Sequence, residues 1–306
     1  MKQIIRVALT LSLLLAMTVG ALAASTADAV EKVSLDTPCA FAVTYRADGA
    51  PFSGLEIRIY RVAALSEEEQ YTLCGSFTDY PVELTGTTDQ NIWDALTLTL
   101  NSYILADRVE PDAVQATDES GTASFSDLKA GIYLVGAVRT ERDGAHYAFE
   151  SFLAAVPTVT ETGKWSYDVA AYPKNMEDRP TKGEVEYKVV KLWQDGGSAK
   201  RPTSVTVEIY RDSFLQETVL LNDDNDWTYR WKTLDDGSVW TAVERNTPAG
   251  YTVTLRKTGT AFMLVNYRPS DTPKTGDGFS GWTMLALSGA ALAVCGALLI
   301  KRRHEV

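Results

Sequence analysis

The chain has 306 residues, of which 45% are hydrophobic, and a formal net charge of −11. A chain this acidic lacks the basic surface that binds nucleic acid, so nucleic acid is not expected as a partner. It contains two histidines, His146 and His304, which leaves almost nothing for a hydrolase with a histidine base or for a His-rich metal site. We therefore expect no enzyme, no metal site and no cofactor.

The N-terminus has the pattern of a secretory signal peptide over residues 1–23. Lys2 and Arg6 precede an apolar stretch from Val7 to Val19, and the small residues Ala21-Leu22-Ala23 follow at cleavage spacing. The stretch is too short to span a membrane, and a buried N-terminal helix is disfavoured because no polar face interrupts the run. The pattern predicts export.

Short strands with turns between them are predicted for most of the chain. Residues 54–60 and 204–210 alternate apolar and polar side chains, and Asp-Gly turns punctuate the pattern at residues 48–49, 143–144, 195–196 and 236–237. One helix is expected from about Asp89 to Leu105, capped by Thr88 or Asp89. Its predicted apolar face consists of Ile92, Trp93, Leu96, Leu100 and Tyr103.

Two short motifs occur twice. IxIYR at residues 57–61 recurs as VxIYR at 207–211, and FxxLxxG at 125–131 recurs as WxxLxxG at 231–237. The longer first interval indicates one β framework used twice, with an insertion that includes the helix in the first copy. The fold class predicted is all-β: two Ig-like or prealbumin-like β-sandwich domains, at 26–178 and 183–269, separated at 175–183.

Two cysteines lie in the predicted first domain, and a third, Cys295, lies near the C-terminus. In an exported chain Cys39 and Cys74 could pair as a disulfide. Two small buried thiols in a strand core are equally compatible with the sequence, so both alternatives stay open.

Three polar residues share strand parity with apolar side chains in the predicted second domain. Lys191 lies in register with Val189 and Trp193, Glu244 with Trp240 and Ala242, and Asn266 with Phe262 and Leu264. A lone buried charge is costly, so the three groups should meet in the core. They could form a hydrogen-bonded structural trio, unless the strand register differs from this interpretation.

The surrounding motifs resemble those of a Cna B-type domain over residues 184–269. They are VxKxWxD at 189–195, RPxSVTV at 201–207, NxWxY at 225–229, ExxxPxGY at 244–251 and VN at 265–266. In that family the matching lysine and asparagine join spontaneously as an isopeptide bond. The resemblance therefore implies a bond between Lys191 and Asn266, with Glu244 as the proton shuttle. Val265 departs from the threonine that the family often has there.

WxxxVxAYPK at residues 165–174 closes the predicted first domain and resembles the pilin motif of Gram-positive pilus shaft subunits, WxxxVxVYPK. TDxxGxAxF at 117–125 adds a general resemblance to the N-terminal domains of such pilins. The motif implies that Lys174 accepts the acyl group of a neighbouring subunit. In the alternative interpretation the segment is simply a last strand, and Lys174 is solvated.

The C-terminal residues 271–306 resemble an LPxTG-type cell-wall sorting signal. The motif consists of Thr272, Pro273, Lys274, Thr275 and Gly276, and Thr272 stands where leucine is usual. An uncharged run from Phe279 to Ile300, long enough for a transmembrane helix in the precursor, precedes a basic tail. The resemblance implies cleavage by a sortase between Thr275 and Gly276, whereas without it the segment would be a plain anchor.

Together these features predict a sortase-processed, pilin-like structural or adhesive subunit that is covalently anchored to the cell wall. The implied partners are a sortase and either neighbouring pilin subunits or peptidoglycan. The alternative function is a monomeric wall-anchored adhesin that binds a host protein or glycan. Lys174 separates the two, because a monomeric adhesin needs no acceptor lysine.

Overall fold

The computed structural model describes residues 32–84, 89–142, 145–173, 175–178, 182–197 and 201–268. Within these residues there are twenty-two β-strands, one α-helix and two short 3-10 helices. The predicted all-β class is therefore confirmed. Below, the first region means the described residues up to 178, and the second region means those from 182 onward.

The first region contains strands β1 to β15, the helix α1 and one 3-10 helix (Gly75–Phe77). These elements are β1 (Cys39–Thr44), β2 (Arg46–Ala47), β3 (Ala50–Pro51), β4 (Glu56–Leu65), β5 (Tyr71–Leu73), α1 (Gln90–Asp107), β6 (Ala113–Ala116), β7 (Thr122–Leu128), β8 (Gly131–Ala137), β9 (Thr140–Arg142), β10 (Ala145–Phe149), β11 (Phe152–Val156), β12 (Thr158–Val159), β13 (Trp165–Ser166), β14 (Asp168–Ala171) and β15 (Asn175–Asp178).

The second region contains strands β16 to β22 and a 3-10 helix (Asp223–Asn225). The strands are β16 (Glu184–Gln194), β17 (Ser204–Arg211), β18 (Phe214–Asn222), β19 (Thr228–Leu234), β20 (Trp240–Arg245), β21 (Thr252–Thr258) and β22 (Ala261–Tyr267). They form a four-stranded sheet in the order β19-β16-β22-β21 and a three-stranded sheet in the order β18-β17-β20.

The same strand pairing occurs in both regions. In the first, β1 pairs antiparallel with β7 and parallel with β14; in the second, β16 pairs antiparallel with β19 and parallel with β22. Likewise β4 pairs with β6 and β8, as β17 pairs with β18 and β20. The repeated sequence motifs lie on matching strands of these two frameworks, and β5 and α1 are inserted between β4 and β6 of the first.

Helix α1 begins after Asp89, whose side chain accepts a hydrogen bond from the backbone N–H of Asn91, as one of the two predicted caps. It ends at Arg108, which has a left-handed backbone conformation. The predicted apolar face is buried except for Ile92, which is 36% exposed. The prediction was therefore wrong for Ile92 alone. Further helix residues are buried that the prediction did not include, among them Ala95, Thr97, Thr99, Ser102 and Ile104.

This wider burial has a simple cause, because α1 contacts both regions. The helix packs on β8 and β11 of the first region and also on β20 and β21 of the second. One hydrophobic cluster consequently includes Leu100 and Ile132 from the first region together with Leu255 and Phe262 from the second.

Cys39 and Cys74 are both free thiols in the structure. The Sγ atom of Cys39 lies 3.8 Å from the backbone oxygen of Thr37, whereas that of Cys74 lies 3.4 Å from the oxygen of Arg61. Burial raises the pKa of the Cys39 thiol to about 11. The structure thus has no bond between Cys39 and Cys74, but only Cys39 is buried within a strand, whereas Cys74 is half-buried just after β5.

Some of the predicted segments fall on residues outside the described part of the chain. They are the signal peptide at 1–23, Lys174, the sorting motif at 272–276 and the apolar run from Phe279 to Ile300. In the part of the chain that is described, no helix is both long and apolar enough to span a membrane.

Candidate functional site

Lys191, Glu244 and Asn266 lie together in the core of the second region. Lys191 is on β16 and Asn266 on β22, which are parallel neighbours in one sheet, while Glu244 extends from β20 in the other sheet. Lys191, Glu244 and Asn266 are 3%, 2% and 0% exposed, respectively. On each strand, the residue two positions before the polar one points to the same face of the sheet and is apolar. All three polar side chains are therefore buried, as this pattern predicted.

The Glu244 carboxylate lies between the amine and the carboxamide. Its Oε2 atom is 3.4 Å from Lys191 Nζ, and its Oε1 atom accepts a hydrogen bond of 2.6 Å from Asn266 Nδ2. The Lys191 amine also donates to the backbone oxygens of Leu192 and Leu264, at 2.9 Å and 3.2 Å. Among the described residues, Asn266 Oδ1 is buried and accepts no hydrogen bond.

Burial shifts the pKa values of the two ionisable groups toward each other. Desolvation lowers the pKa of the Lys191 amine from 10.5 to about 8, although the nearby Glu244 charge opposes the shift. Desolvation likewise raises the pKa of the Glu244 carboxyl, against the opposing effect of Lys191. A proton can therefore move between the two groups at much lower cost than in water.

An aromatic cover closes the site beside Lys191. The Lys191 Nζ atom lies 4.3 Å from the ring centroid of Trp193, which packs edge-on against Trp227 and Tyr251. The buried Asp195 carboxylate fastens this cover, because it accepts hydrogen bonds of 2.8 Å from the Tyr251 hydroxyl and from Arg201 Nε. The motifs around the trio thus include residues that exclude water from it.

Helix α1 closes the site on a second side, which the sequence did not predict. The Tyr103 hydroxyl donates a hydrogen bond of 3.2 Å to the backbone oxygen of Glu244. Thr241 Oγ1 donates to Ser102 Oγ at 2.5 Å, and the backbone N–H of Leu255 donates to Thr99 Oγ1 at 2.8 Å. Threonine and serine in a helix are not a recognisable signal for contact with strands roughly 140 residues further along the chain.

The strands and motifs that hold the trio correspond to a known family. Residues 185–267 match the family model of the Cna protein B-type domain. The resemblance predicted from the sequence is therefore confirmed for this stretch, called the B-type domain below. The match covers less than a third of the chain and concerns this domain alone.

Comparison with known proteins gives one curated relative and several solved structures of low similarity. The collagen adhesin of Staphylococcus aureus is 30% identical over 130 residues, which cover 39% of this chain and 11% of the adhesin. A single B repeat unit of the collagen-binding protein of the same organism is 17% identical, with a TM-score of 0.26; the match covers 76% of this chain and 98% of that one.

The solved structures of two pilins are similar to this chain to a comparably low degree. The major pilin SpaD of Corynebacterium diphtheriae is 14% identical with a TM-score of 0.31, and the match covers 78% of this chain and 99% of that chain. The minor pilin GBS52 of Streptococcus agalactiae is 20% identical with a TM-score of 0.27, covering 78% and 98%. Similarities at these TM-scores support no argument about what the present chain does.

Among the other predicted site residues, Lys174 and Thr272 to Gly276 lie outside the described part of the chain. The residues just before Lys174 are described: β14 is an edge strand of the sheet β14-β1-β7, and Tyr172, just after β14, is 58% exposed. Within the described residues there is no group of three His, Cys, Asp or Glu side chains placed to hold a metal ion.

Proposed function

We propose that this chain is an exported, pilin-like surface subunit whose B-type domain closes an isopeptide bond between Lys191 and Asn266. The observation that carries the proposal is the buried trio, in which Glu244 contacts both the Lys191 amine and the Asn266 carboxamide. An amine, a carboxyl group and a primary amide in a dry core are the reactants and the acid–base catalyst for amide exchange.

The proposed reaction needs no other reagent. The one proton that Lys191 and Glu244 share moves to the carboxyl group, which leaves the amine neutral and nucleophilic. Lys191 Nζ attacks Asn266 Cγ, and Glu244 transfers protons from Nζ to Nδ2. The Nζ–Cγ bond forms, the Cγ–Nδ2 bond breaks, ammonia leaves, and Glu244 keeps the one proton that it took from Lys191.

The bond would join the first strand of the B-type domain to the last. It closes a loop of about 75 residues, for which the chain-entropy treatment of cross-links predicts a stabilisation of about 4 kcal/mol. Because β16 and β22 are parallel neighbours, the cross-link lies within a continuous sheet and needs no rearrangement of the strands. A surface subunit under tension gains most from such a link.

Intact-mass measurement of residues 24–275 tests the reaction. The wild-type chain should be lighter than its sequence mass by one ammonia molecule, and a cross-linked peptide should contain Lys191 and Asn266. Lys191→Ala, Asn266→Ala and Glu244→Gln should keep the full mass. Lys188→Ala, on the same strand and not fully buried, is the matched control and should lose the ammonia. Full mass in the wild type would refute the proposal.

Polymerisation is the second part of the proposed function. The motif at 165–174 supports Lys174 as the acceptor amine, and the sorting motif at 272–276 supports Thr275 as the acyl donor. Tyr172, two residues before Lys174, is exposed to solvent. A sortase would join the two positions in neighbouring subunits, or join Thr275 to peptidoglycan. The sequence similarity to a collagen adhesin favours the second candidate, a monomeric wall-anchored adhesin.

A denaturing immunoblot of muramidase-released wall extracts separates the two candidates. A shaft pilin should give a ladder that resists heat and detergent, and Lys174→Ala should reduce it to a single band. Lys164→Ala is the control, because Lys164 is a lysine ahead of the motif, and its ladder should persist. A single band in all three strains would indicate the monomeric adhesin.

A further inference from the structure

Two of the four edge strands described for the B-type domain, β20 and β21, lie on the same side of the sandwich. Among the described strands, β20 pairs only with β17 and β21 pairs only with β22, so each has one edge without a strand partner. Exposed edges of this kind leave backbone N–H and C=O groups to water or to another chain. In this structure helix α1 covers both of them.

Three buried hydrogen bonds fix the helix on these edges. Thr99 accepts from the backbone N–H of Leu255 on β21, and Tyr103 donates to the backbone oxygen of Glu244 on β20. Ser102 accepts from the side chain of Thr241. Each contact satisfies a buried polar group at this interface, so the polar groups of the helix and of the edge strands are complementary.

The small side chains of α1 allow this close approach. Ala95, Thr99, Ser102 and Ala106 recur at helical spacing along α1, and Thr99 and Ser102 of this row contact the B-type domain. At the end of the helix, Asp107 accepts a hydrogen bond of 2.7 Å from Arg245, the residue next to Glu244. The helix is thus bonded to the B-type domain at Thr99 and at Asp107, and the residues between them adjoin Glu244.

The helix also forms part of the wall of the reaction centre. Thr99, Ser102 and Tyr103 line a small cavity of about 10 Å³ together with Glu244 and Leu264, the residue paired with Lys191. Without α1, the backbone of Glu244 and the space beside its side chain would face solvent on the side of β20 and β21. Proton exchange between Lys191 and Glu244 requires that this space stay dry.

We propose that helix α1 is a positioning element for the isopeptide reaction, so that the cross-link forms efficiently only after the helix has docked on β20 and β21. This inference rests on the proposed function, because it concerns the same Lys191–Asn266 bond. The chain order suits it: α1 precedes all three reactive residues and is available when the last strand, β22, joins the sheet.

As a consequence, the isopeptide reaction in the B-type domain depends on the folding of the first region. The B-type domain supplies the amine, the acid and the amide, whereas the first region supplies the element that closes the site. Ser102→Leu should prevent close docking and slow bond formation roughly tenfold or more, since small displacements of reacting groups have large effects on rate. Ser102→Ala keeps the small volume and loses only the hydrogen bond with Thr241, so it should slow the reaction far less than Ser102→Leu does.

The test follows ammonia loss by intact mass after chains of residues 24–275, recovered unreacted in denaturant, are diluted into buffer. Asp94→Leu, on the exposed side of the same helix, is the matched control and should react like the wild type. Tyr103→Phe removes only the hydrogen bond to Glu244 and should slow the reaction several-fold. If Ser102→Leu does not fold, the rate of Tyr103→Phe tests the role of the helix instead.

The pH dependence of the rate separates positioning from general destabilisation. The groups that face Glu244 are Lys191, Asn266, Tyr103 and Thr247. Water admitted by Ser102→Leu should shift the rate profile to higher pH, because the Lys191 amine would regain its proton. Wild-type rates and profiles in both Ser102→Leu and Tyr103→Phe would overturn this inference alone. Full mass in the wild type would overturn the proposed function as well.

Discussion

At the scale of single residues, the arrangement of Lys191 and Glu244 makes little sense as a stabilising ion pair alone. Both side chains are fully buried, and the attraction between buried charges seldom exceeds the cost of removing them from water. Conversion of the amine to an amide removes both charges, because the ammonium proton passes to Glu244, which then stays as a neutral acid. The proposed reaction thus relieves an unfavourable burial that the fold itself imposes.

The pKa of Lys191 predicts an unusual pH dependence of stability in Asn266→Ala, in which the bond cannot form. The amine has a pKa of about 8 in the folded chain and 10.5 when unfolded. Between these values the unfolded chain binds a proton that the folded chain does not, so the free energy of unfolding should rise with pH, by about 3 kcal/mol in total. Denaturant unfolding at a series of pH values measures this.

The control is the double variant Lys191→Met/Asn266→Ala, which lacks the titrating amine. Tyrosines with raised pKa values titrate in both chains and cancel in the difference. At the acid end, the raised pKa of Glu244 changes stability in the opposite direction. Above pH 4.5 the unfolded chain loses a proton that folded Glu244 still holds, so the free energy of unfolding falls as pH rises. If the difference between the two variants were flat from pH 8 to 10.5, the buried amine would not have the lowered pKa.

At the scale of elements, the turn before β7 depends on Gly121. This residue has φ of +79°, and a Cβ atom there would lie 2.5 Å from the backbone oxygen of Tyr45 and 2.9 Å from the backbone N of Phe52. Those two atoms are themselves hydrogen-bonded at 3.0 Å. A side chain at this position would therefore separate the end of β1 from the segment between β3 and β4.

Gly121→Ala should lower the free energy of unfolding by about 3 kcal/mol, through backbone strain and the displaced hydrogen bond. Gly49→Ala is a matched control, because Gly49 also has φ of +79° but a Cβ atom there would meet no other atom within 4 Å. It should cost about 1 kcal/mol, from strain alone. Thermal or denaturant unfolding measures both, and equal losses would contradict the role of close packing.

Much of the strand architecture and of the trio could be predicted from the sequence because both depend on local patterns. Alternation of side chains fixes which face of a strand Lys191, Glu244 and Asn266 occupy, and repeated motifs mark matching strands. Helix α1 was predicted to within about two residues at each end. Its apolar periodicity and its Asp89 cap are both local signals.

The contact between α1 and the B-type domain could not be predicted, because it depends on groups without a local pattern. Thr99 and Ser102 are polar, and in sequence they resemble residues of a solvated helix face. Their burial comes from edge strands that lie far along the chain. The burial of Tyr103 was predicted, but not its hydrogen bond to the Glu244 backbone, since hydrophobic periodicity says nothing about which partner a side chain contacts.

At the scale of the whole molecule, one strand framework is used twice with different cores. The strand β16 carries Lys191 inward, whereas the matching strand β1 carries Cys39, Phe41 and Val43 inward, all of them buried. Along this strand the first framework therefore relies on backbone pairing with β7 and β14 and on the packing of buried side chains. If neighbouring subunits are joined at positions 174 and 275, tension passes through the B-type domain, and the first region lies outside the direct path.

Single-molecule pulling between positions 174 and 275 should consequently show no unfolding step for the wild-type B-type domain, beyond the few residues that precede Lys191. The isopeptide bond would carry the force from β16 to β22 and bypass the residues between them. Asn266→Ala should instead release those roughly 75 residues in a step of about 250 Å, given about 3.5 Å for each extended residue. Pulling between positions 32 and 174 is the control, and it should extend the first region in both chains. A step of tens of residues in the wild type, on a chain whose mass shows the ammonia loss, would mean that the cross-link does not carry the load.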